Sequence, residues 1–321
     1  MRRTRLALAT LACICAALPL ASCDVRSTPP LEAPAEHALD SKPGPPLPEG
    51  AEIEKAGSTA AHRASDEEIR GSYRPDDKKA KERVPDIVKR GRLIVGVDRS
   101  NNLMSYRDAA SGDVRGFEVE IAREIARDIF GDPNKVDFRF VESSDRVDAL
   151  NTGAVDMIVR TMTISPERER DVAFSIPYMS TQTRMLVLTN SGMKSVKDAA
   201  GKTLCGVGAS TALETIREHA PKSDILVTRS WGDCLMALQL NQADGIVVDD
   251  ALLSGMAAQD SYTSIVGEPL ENENYGVAVR RPSKQQDTRP LLRQINSTLE
   301  RIRRDGTWSS IFKEWLGAYL E

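Results

Sequence analysis

Three short segments carry residue types that could hold a small zwitterion. Arg160-Thr161-Met162-Thr163-Ile164-Ser165-Pro166-Glu167-Arg168 follows an apolar run ending at Val159. Gly208-Ala209-Ser210-Thr211 follows a run ending at Val207 and opens a helical pattern, and Val248-Asp249-Asp250 follows a run ending at Val247. In open α/β sheets, ligands bind beyond the carboxyl ends of the strands, where these segments fall. The Arg168 guanidinium can take an α-carboxylate bidentately and Asp249 can pair with an α-ammonium. The amides that open a helix at Ser210 and Thr211 suit an anion. Two plainer roles stay open at this level: Arg168 as a surface charge at a helix start, and Asp249 as a helix cap beside Asp250.

The elements that must position these residues show an internal echo. Gly91-Arg92-Leu93-Ile94-Val95-Gly96-Val97 parallels Gly201-Lys202-Thr203-Leu204-Cys205-Gly206-Val207. Ala149-Leu150-Asn151-Thr152-Gly153-Ala154-Val155-Asp156-Met157-Ile158-Val159 parallels Ala237-Leu238-Gln239-Leu240-Asn241-Gln242-Ala243-Asp244-Gly245-Ile246-Val247. The first pair predicts a strand in each half, and the second a helix end, a polar turn and a buried strand. Phe117, Ile121, Ile125 and Ile129 share one face at helical spacing, with Gly131 and Pro133 as stop signals. Residues 136–141 alternate like a strand, 225–227 form another, and 212–219 and 235–240 are helical. The segment 291–302 and then 308–316 closes the chain as helix, with Trp308, Ile311, Phe312 and Trp315 for packing. Alternating strands and helices predict two α/β lobes, each a sheet flanked by helices.

Composition removes other chemistries. The 321 residues hold 43 Lys+Arg against 47 Asp+Glu, a net charge of −4 that is wrong for a nucleic-acid surface. Only His219 of the three histidines lies in the folded part, which argues against a multi-histidine metal site and leaves a serine or cysteine nucleophile a single candidate base. Gly206-Val207-Gly208 lacks the third glycine of a dinucleotide fingerprint, because Thr211 stands there. No metal or cofactor is expected.

The ends and the cysteines address location. Arg2, Arg3 and Arg5 precede an apolar run from Leu6 to Leu20, and Leu20-Ala21-Ser22-Cys23 closes it, so residues 1–22 are expected to be an export signal. This closing run resembles a bacterial lipobox, which implies lipidation of Cys23 and anchoring to the outer face of the cell membrane. Residues 23–84 are rich in proline and poor in aromatics, and are expected to form a flexible tether. With Cys13 and Cys15 in the signal and Cys23 lipidated, Cys205 and Cys234 remain as an even pair for a disulfide in an oxidising compartment.

Thr163-Ile164-Ser165-Pro166-Glu167-Arg168, with Asp171-Val172-Ala173-Phe174-Ser175-Ile176-Pro177-Tyr178 after it, resembles the signature of family 3 bacterial solute-binding proteins. Gly116-Phe117-Glu118-Val119-Glu120-Ile121-Ala122 resembles the run that opens their first long helix. Arg304-Asp305-Gly306-Thr307-Trp308 and Lys313-Glu314-Trp315-Leu316 resemble their C-terminal ending. The similarity runs from about Arg92 to Leu316, and within the family the chain resembles actinobacterial glutamate/glutamine-binding lipoproteins.

The resemblance implies a type II two-lobed clamp, with lobe 1 at 86–182 and 278–321 and lobe 2 at 186–275. Its hinge would run through 183–188 and 275–279. It implies Arg168, Thr161 and Thr163 as lobe 1 contacts to a carboxylate, Ser210 and Thr211 as lobe 2 contacts, and Asp249 as the ammonium partner. Asn101 and Ser143 stand where many relatives place aromatic rings, and Arg160 where small residues are frequent. That polar set predicts glutamate first, then aspartate, glutamine or asparagine. The expected partners are the amino acid and an ABC permease or a membrane receptor, with a monomeric, non-enzymatic protein. A sensor, or an enzyme resembling cyclohexadienyl dehydratase, is the alternative on the same clamp.

Overall fold

The computed structural model describes residues 45–61 and 68–320. The signal, Cys23 and the first part of the tether lie outside the described residues. A short strand, β1 (Glu52–Glu54), comes first, followed by helices α1 (Ala80–Arg83) and α2 (Pro85–Arg90). Gly91 ends α2 in the left-handed conformation, φ 81°, and turns the chain into β2 (Leu93–Val97). A small three-stranded sheet follows, β3 (Ser100–Asn101), β4 (Ser105–Arg107) and β5 (Val114–Arg115). The amphipathic α3 (Phe117–Phe130), β6 (Val136–Phe140), α4 (Arg146–Asn151) and β7 (Met157–Ile158) complete the first α/β unit. After the long β8 (Val172–Leu188) come β9 (Thr203–Val207), α5 (Thr211–His219), β10 (Asp224–Thr228), α6 (Trp231–Gln239), β11 (Gly245–Asp249) and α7 (Asp250–Gln259). The long β12 (Thr263–Arg280) returns, and α8 (Arg289–Arg304) and α9 (Thr307–Trp315) end the fold.

Nine strands join in one sheet in the order β1-β10-β9-β11-β8-β12-β7-β2-β6. The sequence echo is its pseudo-repeat. Parallel β6-β2-β7 in the first half match parallel β10-β9-β11 in the second, and each trio is closed by an antiparallel long strand, β12 or β8. The echoed aspartates have one structural task. Asp156 accepts the Ile94 amide at 2.8 Å and pairs with Arg90, while Asp244 accepts the Thr203 amide at 2.8 Å and pairs with Lys202 at 3.4 Å. Each satisfies the donor at the start of the strand beside it.

The two halves are joined where β8 and β12 pair with each other alone. Residues 183–187 of β8 are in register with β11, and 278–280 of β12 with 172–174 of β8 beside β7. The crossing therefore falls at Met179–Gln182 opposite Asn272–Tyr275, directly before the expected 183–188 and meeting the expected 275–279 at Tyr275.

The expectation of a free tether through residue 84 is corrected over the described residues. β1 adds antiparallel to the edge strand β10, with Ile53 opposite Leu226. Glu54 pairs with Arg217 at 2.6 Å, Lys55 with Asp224 at 2.7 Å, and Gln242 donates to the carbonyls of Pro45 and Pro46. Farther on, the Arg70 amide donates to Glu169 at 2.6 Å, Ser72 to the Phe174 carbonyl, and Asn296 to Ser72 and the Tyr73 carbonyl. This stretch has too few apolar residues for a core of its own, but an edge strand has unpaired backbone groups to offer, and three residues are enough to use them. Cys205 in β9 and Cys234 in α6 form a disulfide, with Cα atoms 5.6 Å apart.

Candidate ligand-binding site

A small cavity lies between the halves, beyond the carboxyl ends of β7, β9 and β11. Arg168 enters from the first half and Asp249 from the second. Arg168 sits in a single 3-10 turn and donates to the Thr163 carbonyl at 2.9 Å and to the Ala209 carbonyl at 3.3 Å, so it is aimed at the cleft and not at solvent. Asp249 ends β11 in the position that caps α7, yet its side chain does not cap that helix. Its carboxylate accepts from Thr183 at 3.0 Å and from the Tyr275 hydroxyl at 2.5 Å. Burial, followed by the nearby Glu273, pushes its pKa up to about 7. It has no ion-pair partner among the described residues, which suits a carboxylate meant for an ammonium.

Backbone geometry around these groups is unusual. Thr161 has φ 39° and Ala209 φ 57°, both in the left-handed region that side chains disfavour. Thr161 is held there by donating its amide to Glu118 at 2.5 Å. Glu118 also accepts from Tyr178, and burial raises its pKa to about 7. The Ala209 turn directs its carbonyl toward the arginines of the first half. Ser210, next in the chain, donates its hydroxyl to the Val207 carbonyl at 2.6 Å, leaving α5 without a side-chain cap. The hydroxyls of Thr163 and Thr211, both on the cavity wall, donate to Glu273.

At the other end of the cavity Arg160 is buried, in an ion pair with Asp98 and donating to Ser143 at 2.7 Å. The extra guanidinium foreseen from the sequence is thus at the site, with its charge already answered. Asn101 is also buried, and neither amide atom of its side chain has a hydrogen-bond partner. Two contributors escaped the sequence reading. Arg146, in the first turn of α4, is buried and donates to the Ser143 and Ala209 carbonyls at 2.9 Å each, with no carboxylate paired to it among the described residues. Burial, with Arg168 and Arg160 nearby, holds its pKa well below the ordinary value. Trp231 at the start of α6 supplies an aromatic wall from the second half. Trp231 could have been found from its place just after the β10 strand.

The halves also touch around the rim. Arg229 pairs with Glu142 through contacts of 2.9 and 3.1 Å, and Asn102 donates to the Gly255 carbonyl at 3.0 Å.

Residues 93–318, most of the chain, match the bacterial extracellular solute-binding proteins, family 3. The chain belongs to this family. Its fold is that family's type II clamp, as expected. The ABC transporter glutamine-binding protein GlnH of Bacillus subtilis is 34% identical over 226 residues, covering 70% of this chain and 81% of that protein. The glutamate-binding protein GluB of Corynebacterium efficiens is 26% identical over 242 residues, covering 72% and 80%. Among solved structures, the ancestral amino acid-binding protein AncCDT-1, a precursor of cyclohexadienyl dehydratase, superposes with a TM-score of 0.65 at 27% identity, covering 72% of this family member and 98% of that chain. No helix among the described residues is long and apolar enough to cross a membrane.

Proposed function

We propose that this family member is a non-enzymatic, extracytoplasmic binding protein for a polar amino acid, glutamate first, which it delivers to an ABC permease by closing its two halves. Export and anchoring through a lipidated Cys23 belong to the same reading, as does action as a monomer. The observation that carries it is the opposition of Arg168 and Asp249 across one cavity, a cation and an anion on different halves. Each suits one charged group of an α-amino acid, and both are satisfied together only when the halves are shut. An amino-acid ligand is also what GlnH, GluB and AncCDT-1 are named for.

The side-chain preference rests on Arg146. Arg160 is neutralised by Asp98, whereas Arg146 is a buried guanidinium with carbonyl partners only. A ligand carboxylate there would supply the missing counter-charge. Isothermal titration against the twenty amino acids tests the reading. Glutamate should bind, and Arg146→Gln should weaken glutamate far more than glutamine. Arg168→Ala and Asp249→Ala should each cost about 3–5 kcal/mol, roughly two to four decades in Kd. If Arg168→Ala bound any amino acid within tenfold of the parent protein, the site would be misplaced.

A further inference from the structure

Glu273 is a buried carboxylate that the binding scheme above leaves without a task. It stands on β12 at the crossing between the halves, opposite Thr181 of β8. Its Oε2 accepts the hydroxyl of Thr163 from the first half and that of Thr211, at 3.1 Å, from the first turn of α5 in the second. Both threonines, with Arg168 and Ser210, line the inner cavity and also a wider, more open outer one, in whose wall Glu273 stands. From the outer space, Glu273 thus bonds two of the four residues that line both. It is close enough to Arg168 and Asp249 to perturb the protonation of both.

We infer that Glu273 is an affinity-lowering residue, an internal counterpart of the ligand's α-carboxylate that holds the hydroxyls the ligand would otherwise use and sets a like charge against it. The inference rests on the reading that Arg168 takes the α-carboxylate of an amino acid. A hydroxyl has one proton to donate. Those of Thr163 and Thr211 are given to Glu273, so a ligand carboxylate at Arg168 receives neither. It also approaches a second carboxylate whose charge acts on the same guanidinium, which is unfavourable. Neutralising Glu273 acts in the same direction on the ammonium, because Asp249 loses a negative neighbour and ionises more readily. A family member with this residue discriminates against the charged α-carboxylate by design, and trades tight holding for easier release.

The test is titration of the full chain with L-glutamate and with its α-carboxamide analogue, for the parent protein and for Glu273→Gln. The variant should bind glutamate at least tenfold more tightly, and the ratio of affinities for glutamate over the α-amide should rise at least tenfold. Unchanged or weaker glutamate binding would overturn the inference. So would an equal gain for both ligands, which would mark Glu273 as a spacer acting on shape alone. If Glu273→Gln does not fold, Glu273→Ala is read by the same two criteria. A parent protein that binds no amino acid overturns the zwitterion reading instead, and this inference with it.

Discussion

Asp249 makes the chemistry of the site depend on protons. Its carboxyl is pushed up to about 7 by burial, with the like charge of Glu273 adding to it, while Tyr275 and Thr183 hold its oxygens. Above that pH it is ionised and ready for an ammonium. Below it, binding must first remove a proton, so affinity falls as pH is lowered, approaching about tenfold per unit while the bound form stays ionised. Titration between pH 8 and pH 5 should show Kd rising with acid, and a flat profile would contradict the assignment. The same shift acts on folding with the opposite sense. The unfolded carboxyl gives up its proton near pH 4 and the folded one near 7, so this group withdraws stability as pH rises through that window. Asp249→Asn should therefore raise the melting temperature more at pH 8 than at pH 5. Arg168 and Asp249 were legible because their positions after apolar strands have a direct topological meaning. Arg146 and Glu273 were not. Each becomes significant only when the halves meet, since one reaches the Ala209 carbonyl and the other the Thr163 and Thr211 hydroxyls from distant parts of the chain.

At the scale of elements, α7 and the turn after β3 set how closely the cleft can shut. A Cβ added at Gly255 would lie 2.2 Å from the Asn102 carbonyl oxygen, far inside contact distance, and backbone on both sides leaves little to yield. Gly255→Ala should leave each half folded, because alanine favours a helix interior. It should oppose their approach, and glutamate binding should weaken at least tenfold with little change in the melting temperature of the protein measured without ligand. Binding equal to the parent's would mean that the shut arrangement is not the binding one. The echoed strands were visible in the sequence because their hydrophobic runs and aspartates repeat a local task at Ile94 and Thr203. β1 was invisible for the converse reason. Glu-Ile-Glu has no periodicity to read, and it becomes a strand only because the edge of β10 is there to receive it.

For the whole molecule, the two halves touch each other and share the strands β8 and β12, so closure is the motion the architecture permits most simply. Small-angle scattering with saturating glutamate should give a smaller radius of gyration than without it, and an unchanged profile with binding confirmed would count against a moving clamp. The arm that precedes the clamp adds a mechanical consequence. The chain meets the folded body on the second half, where three backbone pairings, the Glu54–Arg217 and Lys55–Asp224 ion pairs and the Gln242 contacts hold it. A load applied at the N-terminal end is spread over that seam before it can reach the cleft. Protein immobilised by its N-terminus should then bind with the same affinity as protein free in solution, because the seam isolates the jaws from the point of attachment.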